Sequence, residues 1–136
     1  MVDLPTGQSL RAAGVRWIPA RGDRFAVPDR DLDDQVFALS DMVVELVDVP
    51  DGDRILAFNG TTEWALDALE AHEAVWLPRE DQLRELLGAA FVSLARLPEP
   101  SGGWVVTVQV GGTTSRHLDV DPESAYARAL LALLAP

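Results

Sequence analysis

The sequence contains no cysteine and no lysine. Without thiols, disulfide staples, zinc–thiolate centres and cysteine nucleophiles are excluded. Without lysine, so are Schiff-base chemistry and the phosphate-gripping lysine of a nucleotide-binding loop. All 11 basic residues are therefore arginine, set against 22 acids, for a formal charge of −11. Nucleic acids and anionic membranes are bound by positive charge. An acidic excess argues against both and favours neutral or basic partners, although acidity also serves plain solubility. Long apolar runs are missing too. The longest, "ALLALLA" at 129–135, is far short of the roughly 20 residues of a membrane span. The opening "MVDLPTGQSL" carries an acid and no basic stretch, unlike a secretion signal. Cytoplasm is the expected compartment.

What is present suits one globular domain. The chain has 136 residues, 48% of them hydrophobic, and a chain of this size buries roughly 68–70% of its unfolded surface. The expected fold class is α+β, a single compact domain over residues 1–136 with a β-rich half (1–77) and an α-β-β-β-α half (78–136). In the first half, "SLRAAG" reads as a short helix capped by Ser9 and ended by Gly14. "DRFAVP", "QVFAL" and "MVVELVDV" read as strands, and Asp51-Gly52 as a hairpin turn leading into "RILAFN". "TEWALDALEAH" has Trp64, Ala65, Ala68 and Leu69 at helical spacing, and "EAVW" reads as a short strand. In the second half, Pro78 precedes a helix with the stripe Leu83, Leu86, Leu87, stopped by Gly88. "AFVSLARL", "WVVTVQV" and "SRHLDV" are strands, with Phe91, Ser93 and Ala95 on one face of the first. Asp121 with Pro122 caps a final helix. There Ala125, Ala129, Leu130, Leu133 and Leu134 form the inward stripe, while Tyr126 and Leu131 fall outside it and can face a partner.

Several segments raise chemistry. "VWLPREDQL" (75–83) echoes "RWIPARGDRF" (16–25), but the agreement lasts about five residues, too few for a structural repeat. Tryptophan supplies a large contact and proline fixes the next φ, so a packing device used twice is the simpler reading. The alternative is a ligand or partner surface in which Trp17, Trp64 and Trp76 converge with Arg21 or Arg79, joined by Tyr126. "DRDLDD" places Asp29, Asp31 and Asp33 like the opening of a calcium loop, yet Asp34 and Ser40 stand where such a loop needs Gly and Glu. These are weak metal candidates beside a solvated turn. His72 and His117 lack ligand-type spacing. Ser115, His117 and Asp119 share a strand face, an arrangement poorly placed to bring nucleophile, base and oxyanion donors together. Neither "SGGW" nor "VGGTTS" has the glycine spacing of a dinucleotide loop. No catalytic residue and no cofactor is expected.

"GDRFAVPDRDLDDQVFALSDMVVELVDVP", "FNGTTEWALD" and "WLPREDQLRELLG" resemble a family of small uncharacterised actinobacterial proteins commonly labelled as pilus-assembly proteins. The likeness runs over nearly the whole chain. It implies an accessory place in a pilus-type system, while the missing lysine and the short chain exclude a pilus ATPase. Residues 79–135 are also similar in layout to small phage-type domains in which two helices sandwich a three-stranded sheet, a likeness that implies a fold and no activity. The favoured reading is a non-catalytic, acidic protein-interaction or accessory module, with a protein partner or a second copy. Two alternatives stand beside it. One is a small-molecule-binding protein or unrecognised enzyme using the Trp-lined crevice. The other is a nucleic-acid mimic from a mobile element, with its carboxylates between Asp29 and Asp53.

Overall fold

The computed structural model describes residues 1–28, 32–39, 43–48, 54–58, 68–70 and 74–136. They fall into two units, Met1–Arg16 together with Leu77–Pro136, and Trp17–Trp76. In chain order the elements are α1 (Leu4–Ala12), β1 (Arg24–Val27), β2 (Leu32–Ala38), β3 (Val43–Asp48), β4 (Arg54–Phe58), β5 (Ala68–Glu70), β6 (Val75–Trp76), α2 (Glu80–Leu87), a 3₁₀ turn (Gly88–Ala90), β7 (Phe91–Arg96), β8 (Trp104–Val110), β9 (Thr113–Asp119) and α3 (Pro122–Leu134). The chain is α+β. Its described strands form three antiparallel sheets, ordered β2-β1-β6, β3-β4-β5 and β7-β8-β9.

The unit Trp17–Trp76 holds the first two sheets. β1 is central in its sheet, and Phe25, Ala26 and Val27 are all buried, the continuous apolar pattern of a strand covered on both faces. β3 and β4 pair from Val43↔Phe58 to Asp48↔Arg54, which bears out the hairpin; its turn, with Asp51-Gly52, lies outside the described residues. The acidic run was expected to be a turn, but β2 already starts at Leu32, paired with Val27. The helix expected over "TEWALDALEAH" is overturned at Ala68–Glu70, which pair with β4 as a strand. Ladder hydrogen bonds satisfy those backbone groups and override a helical spacing that is only a weak prior. The rest of that segment, including Trp64 and His72, is outside the described residues.

The other unit draws on both ends of the chain. The sequence divided the chain between residues 77 and 78, and the unit boundary falls one residue earlier. The first sixteen residues, however, group with the C-terminal elements, because α1 packs on α3. Helix α1 begins earlier than expected. Asp3 caps it by accepting the Thr6 amide at 2.9 Å, whereas Ser9 lies within the helix and donates to the Pro5 carbonyl at 3.0 Å. At the far end, Asp121 caps α3 by accepting the Ser124 amide at 3.0 Å and holds the Met1 ammonium at 2.9 Å.

β7, β8 and β9 form the expected antiparallel sheet. Val110 and Thr113 close the β8–β9 hairpin around Gly111 at φ +59°, the positive φ that two-residue hairpin turns require. Strict alternation in β7 fails at a bulge between Phe91 and Ser93. The extra residue puts Phe91 and Leu94 opposite the buried Val108 and Val106, so both share the inner face. α3 covers that face, with Tyr126 stacked on Phe91 at 5.6 Å between ring centroids. Packed also against α1 and α2, α3 buries Ala125, Tyr126, Ala127, Ala129 and Leu130. Leu134 and Leu86, expected to point inward, are exposed.

Candidate functional site

The two Trp-Pro segments meet at Phe25, on which Trp17 packs and opposite which Trp76 stands. Phe25 lies directly across from Phe37 on β2 and from Trp76 on β6, and directly opposed residues of antiparallel strands project to one face. The Phe25 and Phe37 rings stack at 5.6 Å, and Trp17 tilts onto Phe25 at the same distance. Asp23, 2% exposed, ties this corner together. Its Oδ2 accepts the Trp17 indole N–H at 2.8 Å and the Ala20 amide at 2.9 Å. A buried carboxylate is tolerable only when hydrogen-bonded in this way. Reading along the sequence missed Asp23. The signal was its place just before β1, three residues after the Ala20 amide it caps, in a turn of the kind aspartate makes. Trp76 sits in the same face, with its indole N–H buried and without a hydrogen-bond partner.

The remaining residues of the predicted surface are placed differently. Arg21 is exposed in the turn before Asp23. Arg79 belongs to the other unit, where its amide donates to Gln82 Oε1 at 2.9 Å at the start of α2. Its guanidinium pairs with Asp81 at 3.1 Å, and that hydrogen bond holds the Asp81 pKa below the usual carboxylate value. Tyr126 is 0% exposed and cannot meet a partner. It is a core residue because α1 and α2 cover the flank of α3 that the sequence left open. Burial, with Glu80 nearby, raises its phenol pKa. Asp29 and Asp31 are outside the described residues, as are the side chain of Asp33 and those of most of the Asp29–Asp53 stretch. Among the described residues no cluster of His, Asp or Glu has the geometry of a metal site.

On β9 the Ser115 hydroxyl and His117 Nε2 are 3.0 Å apart. Partial burial lowers the His117 pKa, which favours the neutral imidazole. Asp119 shares this face but turns to α3, where Oδ2 accepts from Arg128 Nε at 2.8 Å and Oδ1 from the Asp121 amide at 3.1 Å. Burial alone would raise the Asp119 pKa; these two donors outweigh it, and the net shift is downward.

On the opposite face of this sheet the central Val105 is buried, while Ala95 and Leu118 on the flanking strands are exposed. Ala95, Val105 and Leu118 lie in one row across the three strands, and Ser93, Thr107 and Arg116 in the next. Leu118 is 51% exposed and the bulge residue Val92 52%; Val120, just beyond β9, is 84% exposed. None of the residues in these two rows is acidic, in a chain with twice as many acids as bases. Comparison with family models, with curated proteins and with solved structures found no match.

Proposed function

We propose that the chain is a non-catalytic protein-interaction module that engages its partner through the outer face of β7-β8-β9. One observation carries this reading: Val92, Leu118 and Val120 expose apolar side chains on or beside a sheet face whose rows lack carboxylates. Single exposed apolar side chains are ordinary, so the reading rests on their sharing this side of the sheet with rows that lack carboxylates. The acidic remainder of the chain attracts basic partners to the molecule. An accessory role in a pilus-type assembly, suggested by the family resemblance, fits a small module of this kind. The test compares capture from the native host lysate on immobilised wild type and on a Val92→Asp, Ala95→Asp variant of equal melting temperature. A protein held by the wild type and released by the variant is expected; identical profiles from both would refute the reading.

A second reading, a small-molecule site in the Trp17–Trp76 unit, is favoured by the partnerless Trp76 indole N–H. A buried donor without an acceptor costs free energy that a ligand oxygen would recover. A thermal-shift screen of small carboxylates and carbonyl compounds tests it, with Trp76→Phe expected to abolish any shift.

A further inference from the structure

We propose that Ser115 is a modification site, a hydroxyl that takes an acyl group from an activated ester or thioester with His117 as its base. The inference goes beyond the interaction-module reading and does not rest on it. A serine hydroxyl is a weak nucleophile until a neighbouring base draws off its proton. The described serines differ in what they meet. Ser9 and Ser101 donate to the Pro5 and Pro98 carbonyls at 3.0 and 3.2 Å, and an amide oxygen does not take up a proton at neutral pH. Ser124 donates to Asp121 Oδ2 at 3.0 Å, an oxygen that also receives the Ser124 amide and the Met1 ammonium. Ser115 instead stands 3.0 Å from His117 Nε2, within the reach a general base needs. Partial burial favours the neutral ring. In the tautomer protonated on Nδ1, Nε2 accepts the Ser115 hydrogen. Ser115 is exposed, so a donor in solvent can reach it.

The transfer balances within this pair. Oγ bonds to the acyl carbon, Nε2 takes the hydroxyl proton, and the bond from the acyl carbon to the leaving oxygen or sulfur breaks. The leaving group departs as its anion, and the imidazolium returns its proton to it or to water. Hydrolysing the new serine ester is harder, because its leaving group is an alkoxide, far more basic than a phenolate or thiolate. Asp119, the carboxylate on this face, is engaged by Arg128 and the Asp121 amide rather than by His117. An imidazole without that orienting partner is a weaker catalyst. The acyl group therefore stays on Ser115 as a stoichiometric mark, in keeping with a chain that does not turn over substrate. Competition is small. The sequence has no lysine or cysteine, the side chains that acyl donors ordinarily meet first, and the Met1 amine is held as an ammonium by Asp121.

Incubating the full chain with p-nitrophenyl acetate tests this, with released p-nitrophenolate read by absorbance and the acetylated peptide by mass spectrometry. Wild type is expected to release one equivalent above the slow background and to carry one acetyl group on Ser115. Ser115→Ala loses that burst. His117→Gln, which keeps a polar side chain, slows it about a hundredfold, the lower end of what a positioned base contributes. Thermal melts in the labelling buffer establish that both variants are folded. Acetyl groups on Met1 or on other hydroxyls with Ser115 unlabelled overturn the proposal, as does labelling of Ser115 at an unchanged rate in His117→Gln. Continuous turnover that Ser115→Ala abolishes overturns the stoichiometric mark. The interaction-module reading is decided separately, by the capture comparison at Val92 and Ala95.

Discussion

Replacing Asp23 by alanine removes the acceptor for two donors at once, the Trp17 indole N–H at 2.8 Å and the Ala20 amide at 2.9 Å. A buried donor left unpaired costs about 1–3 kcal/mol. Trp17 is half-buried, so water can reach part of the vacated site, and the expected loss is about 2–4 kcal/mol for the pair. That is a large share of the roughly 5–15 kcal/mol that holds a domain folded, and it lowers the melting temperature by about 6–20 °C. Asp23→Asn keeps a carbonyl oxygen where Oδ2 stands and loses mainly charge assistance, which roughly doubles the strength of such bonds. Its cost is about half as large. Urea unfolding followed by tryptophan fluorescence reads both variants. Should Asp23→Ala melt within a degree of wild type, or Asp23→Asn match Asp23→Ala, Trp17 is not fixed by this carboxylate, and the packing account of the first Trp-Pro segment fails.

Tyr126→Ala empties a fully buried site beside Phe91 and costs about 3–5 kcal/mol. Tyr126→Phe gives up a long 3.5 Å contact to Glu80 and is expected to stay near wild type in the same denaturation assay. At Gly103 the φ of +91° and a Cβ position 2.9 Å from the Asp119 carbonyl oxygen make Gly103→Ala destabilising by about 1–3 kcal/mol, visible as a lower melting temperature. Stability also falls with pH in two stages, measured by thermal melts from pH 8 to 3. Burial holds His117 below its ordinary 6.5, so the unfolded chain takes up that proton first. The His117 contribution is complete above about pH 7 and is lost as pH falls below 6.5; His117→Gln flattens this stage. For Asp121, burial acts upward but the Met1 ammonium and Ser124 outweigh it, and Asp119 is likewise depressed. Their contribution is present above 3.8 and is lost as pH falls through the lower folded values.

Local chemistry with a single outcome was readable from the sequence. Asp121-Pro122 allows little besides a helix start, Gly111-Gly112 little besides a hairpin, and both stand where they were expected. Outcomes decided by a distant neighbour were not readable. Ala68–Glu70 have helical spacing in isolation, but β4 offers a ladder. Ser9 is a good cap residue, yet Asp3 and Pro5 begin α1 a turn and a half earlier. Tyr126 falls off the stripe of a helix covered on one side and is core on a helix covered on three. The bulge at Phe91–Ser93 changes which β7 side chains share a face, and a single extra residue leaves no mark in an apolar run. Trp17 was legible as packing, but its partner Asp23 was hidden among 22 acids, where no one carboxylate stands out.

β9 shows how the same residues are divided between chemistry and structure. A hydroxyl and an imidazole at 3.0 Å are two parts of a nucleophilic site, and an aspartate lies two residues further along the same face. In an acyl-transfer triad the carboxylate orients the imidazole through the nitrogen remote from the nucleophile. Here both oxygens of Asp119 are engaged at the start of α3, one by Arg128 and one by the Asp121 amide. Asp121 in turn caps the helix and binds the Met1 ammonium. Asp119 is spent on the junction that seats the start of α3 on the sheet, and its hydrogen-bond partners are there and not at His117. The inner face of β9 is committed to holding the helix, and the serine–imidazole pair stands on it without an orienting carboxylate.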